Sequence, residues 1–368
     1  MIKRQRKSKF SLKIPTQRQD YWLLFATIAL TAFGVLMVYD ASVAEAYRDF
    51  SDKFYYAKLQ FQWAVVGIVG LIVASRIPLV FVKKLSLSFF VLTILLLVAV
   101  LIPGIGQKVQ GARRWLLIGN FTLQPSELVK LSFVLYLSNW LEKQQKAKPF
   151  MIITGIILAL VMAQPDLGTT IVVVATGFLM YFISGAPLML LGMMSLGGLL
   201  AGTGLIVSSD YRRERLITFF NPTADPLGTS YHIRQVLIAL GSGGLWGVGI
   251  GRSRQKYQYL PEAPTDSIFA VIGEEVGFIG ASIVILLFLF LLYRGFKIAQ
   301  KAPDRFTQLL AGGITSWLGI QVLINLASMV ALVPLTGVPL PLISYGGSSL
   351  VTILAAIGIL INISRQKA

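Results

Sequence analysis

Four of the 16 acidic residues in this 368-residue chain, Glu262, Asp266, Glu274 and Glu275, gather around the start of one apolar run, in the stretch KYQYLPEAPTDSIFAVIGEEVGFIG. Ionised carboxylates beside a hydrocarbon core cost about 2.5 to 3.5 kcal/mol each on insertion scales, so each needs a partner or a task. Pro261 and Pro264 keep the chain extended, which leaves Thr265 or Asp266 to cap a helix beginning at Ile268. A Ser or Asn would cap equally well, whereas Glu262 and Asp266 together set two carboxylates at a membrane surface beside a basic loop. A carboxylate next to bound phosphates can take a proton from a hydroxyl nucleophile. Asp266 therefore reads either as a cap or as a general base. Glu274 and Glu275 lie roughly 12 Å further along that helix at about 1.5 Å per residue, and are expected to pair with basic groups or helix termini.

A second constellation is Gln124-Pro125-Ser126-Glu127-Leu128-Val129-Lys130. Proline before serine opens a helix, and Glu127 and Lys130, three apart on one face, can form an ion pair inside a bundle. Such a pair either serves substrate or only fixes helix packing. Just before it, Gly111-Ala112-Arg113-Arg114-Trp115 offers two guanidinium groups suited to holding a phosphate bidentately. The long polar segment from about Ser208 to Thr265 carries Arg212, Arg213, Arg215, Arg234, Arg252, Arg254 and Lys256, a surface for anionic headgroups or a phosphorylated lipid substrate. Arg114, Glu127, Lys130, Lys256 and Glu262 are the candidate substrate contacts. The glycine run Gly241 to Gly251 lacks the preceding strand and the Lys-Thr ending of a nucleotide loop, so tight turns with backbone N–H groups facing an anion are expected. In Ser344-Tyr345-Gly346-Gly347-Ser348-Ser349 the small residues permit close helix packing.

These residues have to be positioned by membrane helices. Of the residues, 55% are hydrophobic and 13% charged, against roughly 25% charged in ordinary soluble domains. The apolar blocks have the length of bilayer-crossing helices and strands of alternating polarity are absent, so the fold class is all-α: a polytopic helical bundle of about ten spans. Eight spans are Tyr21 to Tyr39, Leu59 to Ser75, Leu85 to Ile102, Ser126 to Leu141, Pro187 to Val207, Ile268 to Tyr293, Leu309 to Val333 and Tyr345 to Ile363. Two shorter ones between Phe150 and Ser184 are broken by Gln164-Pro165-Asp166-Leu167-Gly168, and such breaks often line polar cavities. A basic tail over residues 1–20 precedes a transmembrane domain over 21–365, in which 208–265 form a long external loop between the seventh and eighth spans.

The tail holds Lys3, Arg4, Arg6, Lys7, Lys9, Lys13 and Arg18, which puts the N-terminus inside, and ten crossings return Arg365 and Lys367 to the same side. Ala44-Glu45-Ala46 has the form of a signal cleavage site, but the preceding run is long for a signal peptide, and an uncleaved anchor is expected. The net charge of +17 is spread over loops on both faces with no nucleic-acid module in view. With no cysteine, disulfides and thiolate sites are excluded, and the single histidine, His232, excludes multi-histidine metal centres. A Ser-His-Asp arrangement would have to use His232, which lies in the polar loop without a nucleophile-elbow pattern.

The blocks GARRW, LQPSELVK, QPDLGTT, NPTADPLGTSY, ALGSGGLWGVGIGRSRQKYQYLPEAPTDSIFAVIGEEVGFIG and TGVPLPLISYGGSS resemble, in order from about Tyr21 to Arg365, those of the SEDS family of integral membrane glycosyltransferases, which polymerise lipid II into peptidoglycan. SRQKYQYLPEA and Gly273-Glu274-Glu275 look more like the division branch (FtsW-type) than the elongation branch (RodA-type). The resemblance implies that Asp266 matches the family's essential aspartate, Glu127 and Lys130 its intramembrane pair, and Arg114 its loop arginine. Pro264 stands where the family usually has His, and Ser267 where it has Phe. Also implied are a bacterial plasma-membrane location with the active site outside, a class B penicillin-binding protein and divisome proteins as partners, contacts with membrane lipids, and no nucleic acid. A divalent ion (Mg or Mn) could assist, although no ligand set is legible. The rival expectation is a flippase of lipid-linked precursor, since broken helices suit that work too. A noncatalytic scaffold is the third.

Overall fold

The computed structural model describes residues 19–109, 111–119, 121–207, 213, 217, 219–220, 230–257 and 259–366. The basic tail up to Arg18, the loop residues Arg212 and Arg215, and Lys367 lie outside the described residues.

Eleven helices form among the described residues: α1 (Tyr21–Phe50), α2 (Tyr55–Ala74), α3 (Leu79–Leu101), α4 (Pro125–Lys143), α5 (Ala147–Ala163), α6 (Leu167–Ile183), α7 (Leu188–Val207), α8 (Tyr231–Ser242), α9 (Ile268–Gln300), α10 (Arg305–Met329) and α11 (Gly347–Ser364). The chain is an all-α polytopic membrane protein. α1, α2, α3, α9, α10 and α11 are each long and apolar enough to cross a bilayer, and α5, α6 and α7 are shorter apolar helices. α4 carries Glu127 and Lys130 buried against the bundle and Glu142 and Lys143 at its end, where Glu142 pairs with Lys83 and Lys143 is exposed. Ten helices thus answer the ten expected spans.

Two elements depart from expectation. α8, with 12 residues, interrupts the stretch read as loop. Between α3 and α4 the chain makes a small antiparallel sheet, β1 (Gly106–Val109), β2 (Ala112–Ile118) and β3 (Phe121–Leu123), in the order β1-β2-β3, with Gly106 opposite Leu116 and Leu116 opposite Leu123.

The bundle has a centre and a rim. Within their apolar windows α10 and α11 are each 72% buried, against 22% for α2 and α3, so the first pair forms the core and the second faces lipid. α11 lies along α2, with Gly358 against the Leu71 backbone, a close approach that a small residue permits. α10 is packed between α4, α6 and α9.

α9 is broken at Gly277, whose φ of 66° and ψ of −171° suit only glycine. A break in a membrane helix frees backbone groups that must find partners. Here the glycine-rich turn before α9 supplies them: Val248 and Gly249 donate to the carbonyls of Glu274 and Glu275 (both 3.0 Å), and Phe278 and Ile279 donate to those of Gly244 and Leu245 (2.9 and 3.2 Å). The run Gly241 to Gly251 is therefore a plug for a helix break.

Candidate active site

Asp266 sits in a turn gripped from several directions. The Glu262 carbonyl accepts from the N–H groups of Thr265 and Ser267 (both 3.1 Å), closing the turn. The carbonyls of residues 264 to 266 are then each held from outside it. Pro264 accepts from Tyr345 N–H at 2.9 Å, Thr265 from the Ser344 hydroxyl at 2.6 Å, and Asp266 from Asn325 Nδ2 at 2.9 Å. The donors come from α10 and the segment leading into α11. Gln60 on α2, fully buried, in turn donates to the Ser344 carbonyl at 3.2 Å.

Ser267, not Asp266, occupies the N-cap of α9, and the Ser267 side chain makes no capping hydrogen bond. Asp266 stands one residue too early to reach the first free N–H groups in the usual way. Its half-buried carboxylate faces Gly337: a Cβ built there would lie 3.2 Å from Asp266 Oδ2, and Gly337 has a φ of 71°.

Glu127 and Lys130 form the expected pair, 2.8 Å apart and each 3% exposed. The pair is not isolated. Lys130 Nζ also donates to Gln321 Oε1 at 3.0 Å, and the same oxygen accepts from Trp317 Nε1 at 3.0 Å. Gln321 Nε2 donates to the Pro339 carbonyl at 3.0 Å. One turn along α10, Asn325 Nδ2 bonds the Val338 carbonyl at 2.8 Å as well as that of Asp266. Residues four apart share a helix face, so Gln321 and Asn325 together connect the α4 ion pair to the segment that faces Asp266.

Arg114, on β2, closes the break between α5 and α6: its Nε donates to the Gln164 carbonyl at 2.8 Å and its Nη2 to that of Pro165. Asp166 caps α6 through Thr169 N–H at 2.9 Å, and Gly168 packs on the Thr336 carbonyl, next to Gly337. The break is thus filled and set beside the same segment.

Lys256 is placed elsewhere. It is buried, with its ammonium 2.7 Å from Asp40 Oδ1 and 2.9 Å from Glu275 Oε1. Glu275 has the basic partner expected of it. Glu262 is exposed in the turn, bonded by the Thr265 hydroxyl at 2.9 Å. Among the described residues no group of three or more His, Asp or Glu side chains is placed to ligate a metal ion.

Sequence reasoning missed Gln60, Gln321, Asn325 and Gly337. The signal for the first three was legible: amide side chains inside apolar spans, two of them at i and i+4. Gly337 carried none beyond its place in TGVPLPLISYGGSS.

The chain matches the FtsW/RodA/SpoVE family model, described as cell cycle protein, over residues 21–368. It is 42% identical over 356 residues to stage V sporulation protein E of Bacillus subtilis, covering 95% of this chain and 97% of that one. It is 41% identical over 367 residues to a probable peptidoglycan glycosyltransferase FtsW of Geobacter metallireducens, covering 97% of each. Among solved structures, a chain of a peptidoglycan synthase complex coordinating polymerization and crosslinking superposes with a TM-score of 0.78 at 28% identity, covering 95% of this chain and 98% of the other. The rod shape determining protein RodA of Thermus thermophilus superposes with a TM-score of 0.70 at 28% identity, covering 95% and 97%.

Proposed function

The chain belongs to the FtsW/RodA/SpoVE (SEDS) family of peptidoglycan glycosyltransferases, and from that premise we propose that Asp266 is the base with which it polymerises lipid II. The Asp266 carboxylate takes the proton of the GlcNAc 4-hydroxyl of one lipid-linked disaccharide. The freed oxygen attacks the anomeric carbon of a second, the bond to undecaprenyl pyrophosphate breaks with its electron pair, and the α-linked donor becomes a β-1,4 glycan by inversion. Arg114 has N–H donors beyond the two spent on Gln164 and Pro165, and these neutralise the leaving pyrophosphate together with the basic loop. The observation that carries the reading is that the carbonyls of Pro264, Thr265 and Asp266 are each anchored from another element, which fixes the backbone of a half-buried aspartate whose carboxylate lies against Gly337.

The N- and C-termini lie inside the cell and Asp266 outside, following the basic tail and the ten bundle helices among the described residues. A class B penicillin-binding protein crosslinks the glycan beside it, in keeping with the neighbour from a synthase complex, and the FtsW relatives support a place in cell division. The flippase rival needs an open pathway at the helix breaks, yet Arg114 fills one and the Gly244–Gly249 turn the other. Purified full-length protein, alone and with a class B partner, incubated with labelled lipid II, is expected to give a ladder of polymer on a gel. Lipid II that is bound by folded protein, moved across vesicles and recovered unchanged would overturn the reading.

Two further outcomes follow from the neighbours of Asp266. Gly337→Ala places a methyl against the carboxylate on a backbone that side chains disfavour, and misplacement of about 1 Å can cost about 10²-fold. Turnover is expected to fall by roughly 10- to 100-fold while lipid II binding, read by affinity pull-down, persists. For the α4 pair, Glu127→Ala or Lys130→Ala strands a buried charge, worth about 3 to 5 kcal/mol. Glu127→Gln/Lys130→Met is expected to melt higher than either single variant and still polymerise slowly, because the Lys130 hold on Gln321 is lost.

A further inference from the structure

His232 lies in the first turn of α8, on a helix rather than in the loop read from sequence. Its Nε2 is 2.7 Å from the hydroxyl of Ser267, the residue that follows Asp266. Serine is among the best helix caps, its oxygen normally accepting an N–H of the first turn. Ser267 occupies the N-cap of α9 and does not use its hydroxyl in this way; the hydroxyl is turned towards α8 instead.

A Ser–His hydrogen bond beside an aspartate invites a nucleophilic reading, which the burial refuses. Ser267 is fully buried, so no substrate carbon reaches its oxygen. What the bond can do is hold the backbone. The peptide joining Asp266 to Ser267 has its carbonyl bound by Asn325 at 2.9 Å and its N–H bound to the Glu262 carbonyl at 3.1 Å. The Ser267–His232 bond adds a restraint from the α8 side. α8 is itself seated at its far end, where Gly243 packs on the Gly273 backbone of α9. His232 is therefore presented by a fixed helix.

We propose that His232 is a positioning residue for Asp266, orienting its carboxylate towards the acceptor hydroxyl through Ser267. The proposal rests on the reading of Asp266 as the base. Either ring tautomer sustains the bond, since a hydroxyl both donates and accepts.

The test is steady-state polymerisation of labelled lipid II by full-length His232→Ala, His232→Gln, Ser267→Ala and Asp266→Asn, each with its thermal melt. His232→Ala is expected to lower kcat by about tenfold with KM within about twofold, the signature of lost orientation rather than lost binding. Ser267→Ala lowers kcat in the same direction, and the double variant is no worse than His232→Ala, because the His232–Ser267 bond is lost in all three. Gln sets an amide nitrogen near the position of Nε2, so His232→Gln recovers most of the rate. Unchanged kcat in His232→Ala and Ser267→Ala, with Asp266→Asn inactive, overturns the positioning role and leaves the base in place. Equal losses in His232→Ala and His232→Gln with lowered melts overturn it in favour of packing. Normal polymerisation by Asp266→Asn overturns the base reading and the positioning role with it.

Discussion

Asp266→Asn is expected to fold, insert and lose about 10² to 10⁴ of its polymerisation rate, the usual contribution of a general base. The structure explains why folding is spared. Asn325 binds the backbone carbonyl of residue 266 and not its side chain, Tyr345 and Ser344 hold the two preceding carbonyls, and α9 starts at Ser267 without help from the carboxylate. An amide of the same size keeps all of that and cannot accept the hydroxyl proton. The loss should therefore fall on kcat, with KM for lipid II nearly unchanged. Near-normal turnover in single-turnover assays would remove Asp266 from the chemistry.

How much of this was legible beforehand depended on whether the signal was local. The spans were, because apolar blocks of bilayer length have few alternative fates. The pair Glu127–Lys130 was also local, three residues apart on one helix. α8 was not recognised, although Ile233, Val236 and Ala239, its buried face, repeat at helical spacing; the Gly, Pro and Asp residues around it made the segment read as loop. The small sheet escaped because its strands are short and β1 and β2 are joined through a bulge between Gln107 and Lys108. The contacts that build the site span long stretches of chain, Lys130 with Gln321 and Asp266 with Asn325, and no periodicity encodes them. Amides inside apolar helices were the remaining clue. Their cost in hydrocarbon implies partners without saying which.

Lys256→Met is expected to destabilise the protein by about 3 to 5 kcal/mol, the cost of removing one partner from a buried ionic cluster. Burial alone would push the Lys256 ammonium towards neutrality, but its hydrogen bonds to Asp40 and Glu275 outweigh that and hold its pKa above the ordinary lysine value. Glu275 is bound in addition by Gly251 and Ser253 N–H groups, both at 3.1 Å, and Glu274 by Arg254 N–H at 3.0 Å. The anion facing the backbone N–H groups of this glycine-rich turn is thus the protein's own. The lysine ties α1, through Asp40, to the turn that plugs the break in α9. Without it two carboxylates are left facing each other in a buried site, and the plug loosens. Hydrogen exchange at Val248 and Gly249, whose amides bond across the break, should accelerate in step with the fall in melting temperature. Asp40→Asn/Glu275→Gln/Lys256→Met removes every charge of the cluster and should recover much of the stability, since neutral replacement of a buried network is commonly close to neutral in energy. A substrate-binding lysine predicts the reverse pattern: KM for lipid II rising in Lys256→Met with the melt unmoved, and no rescue by the triple variant. That result would return Lys256 to the substrate.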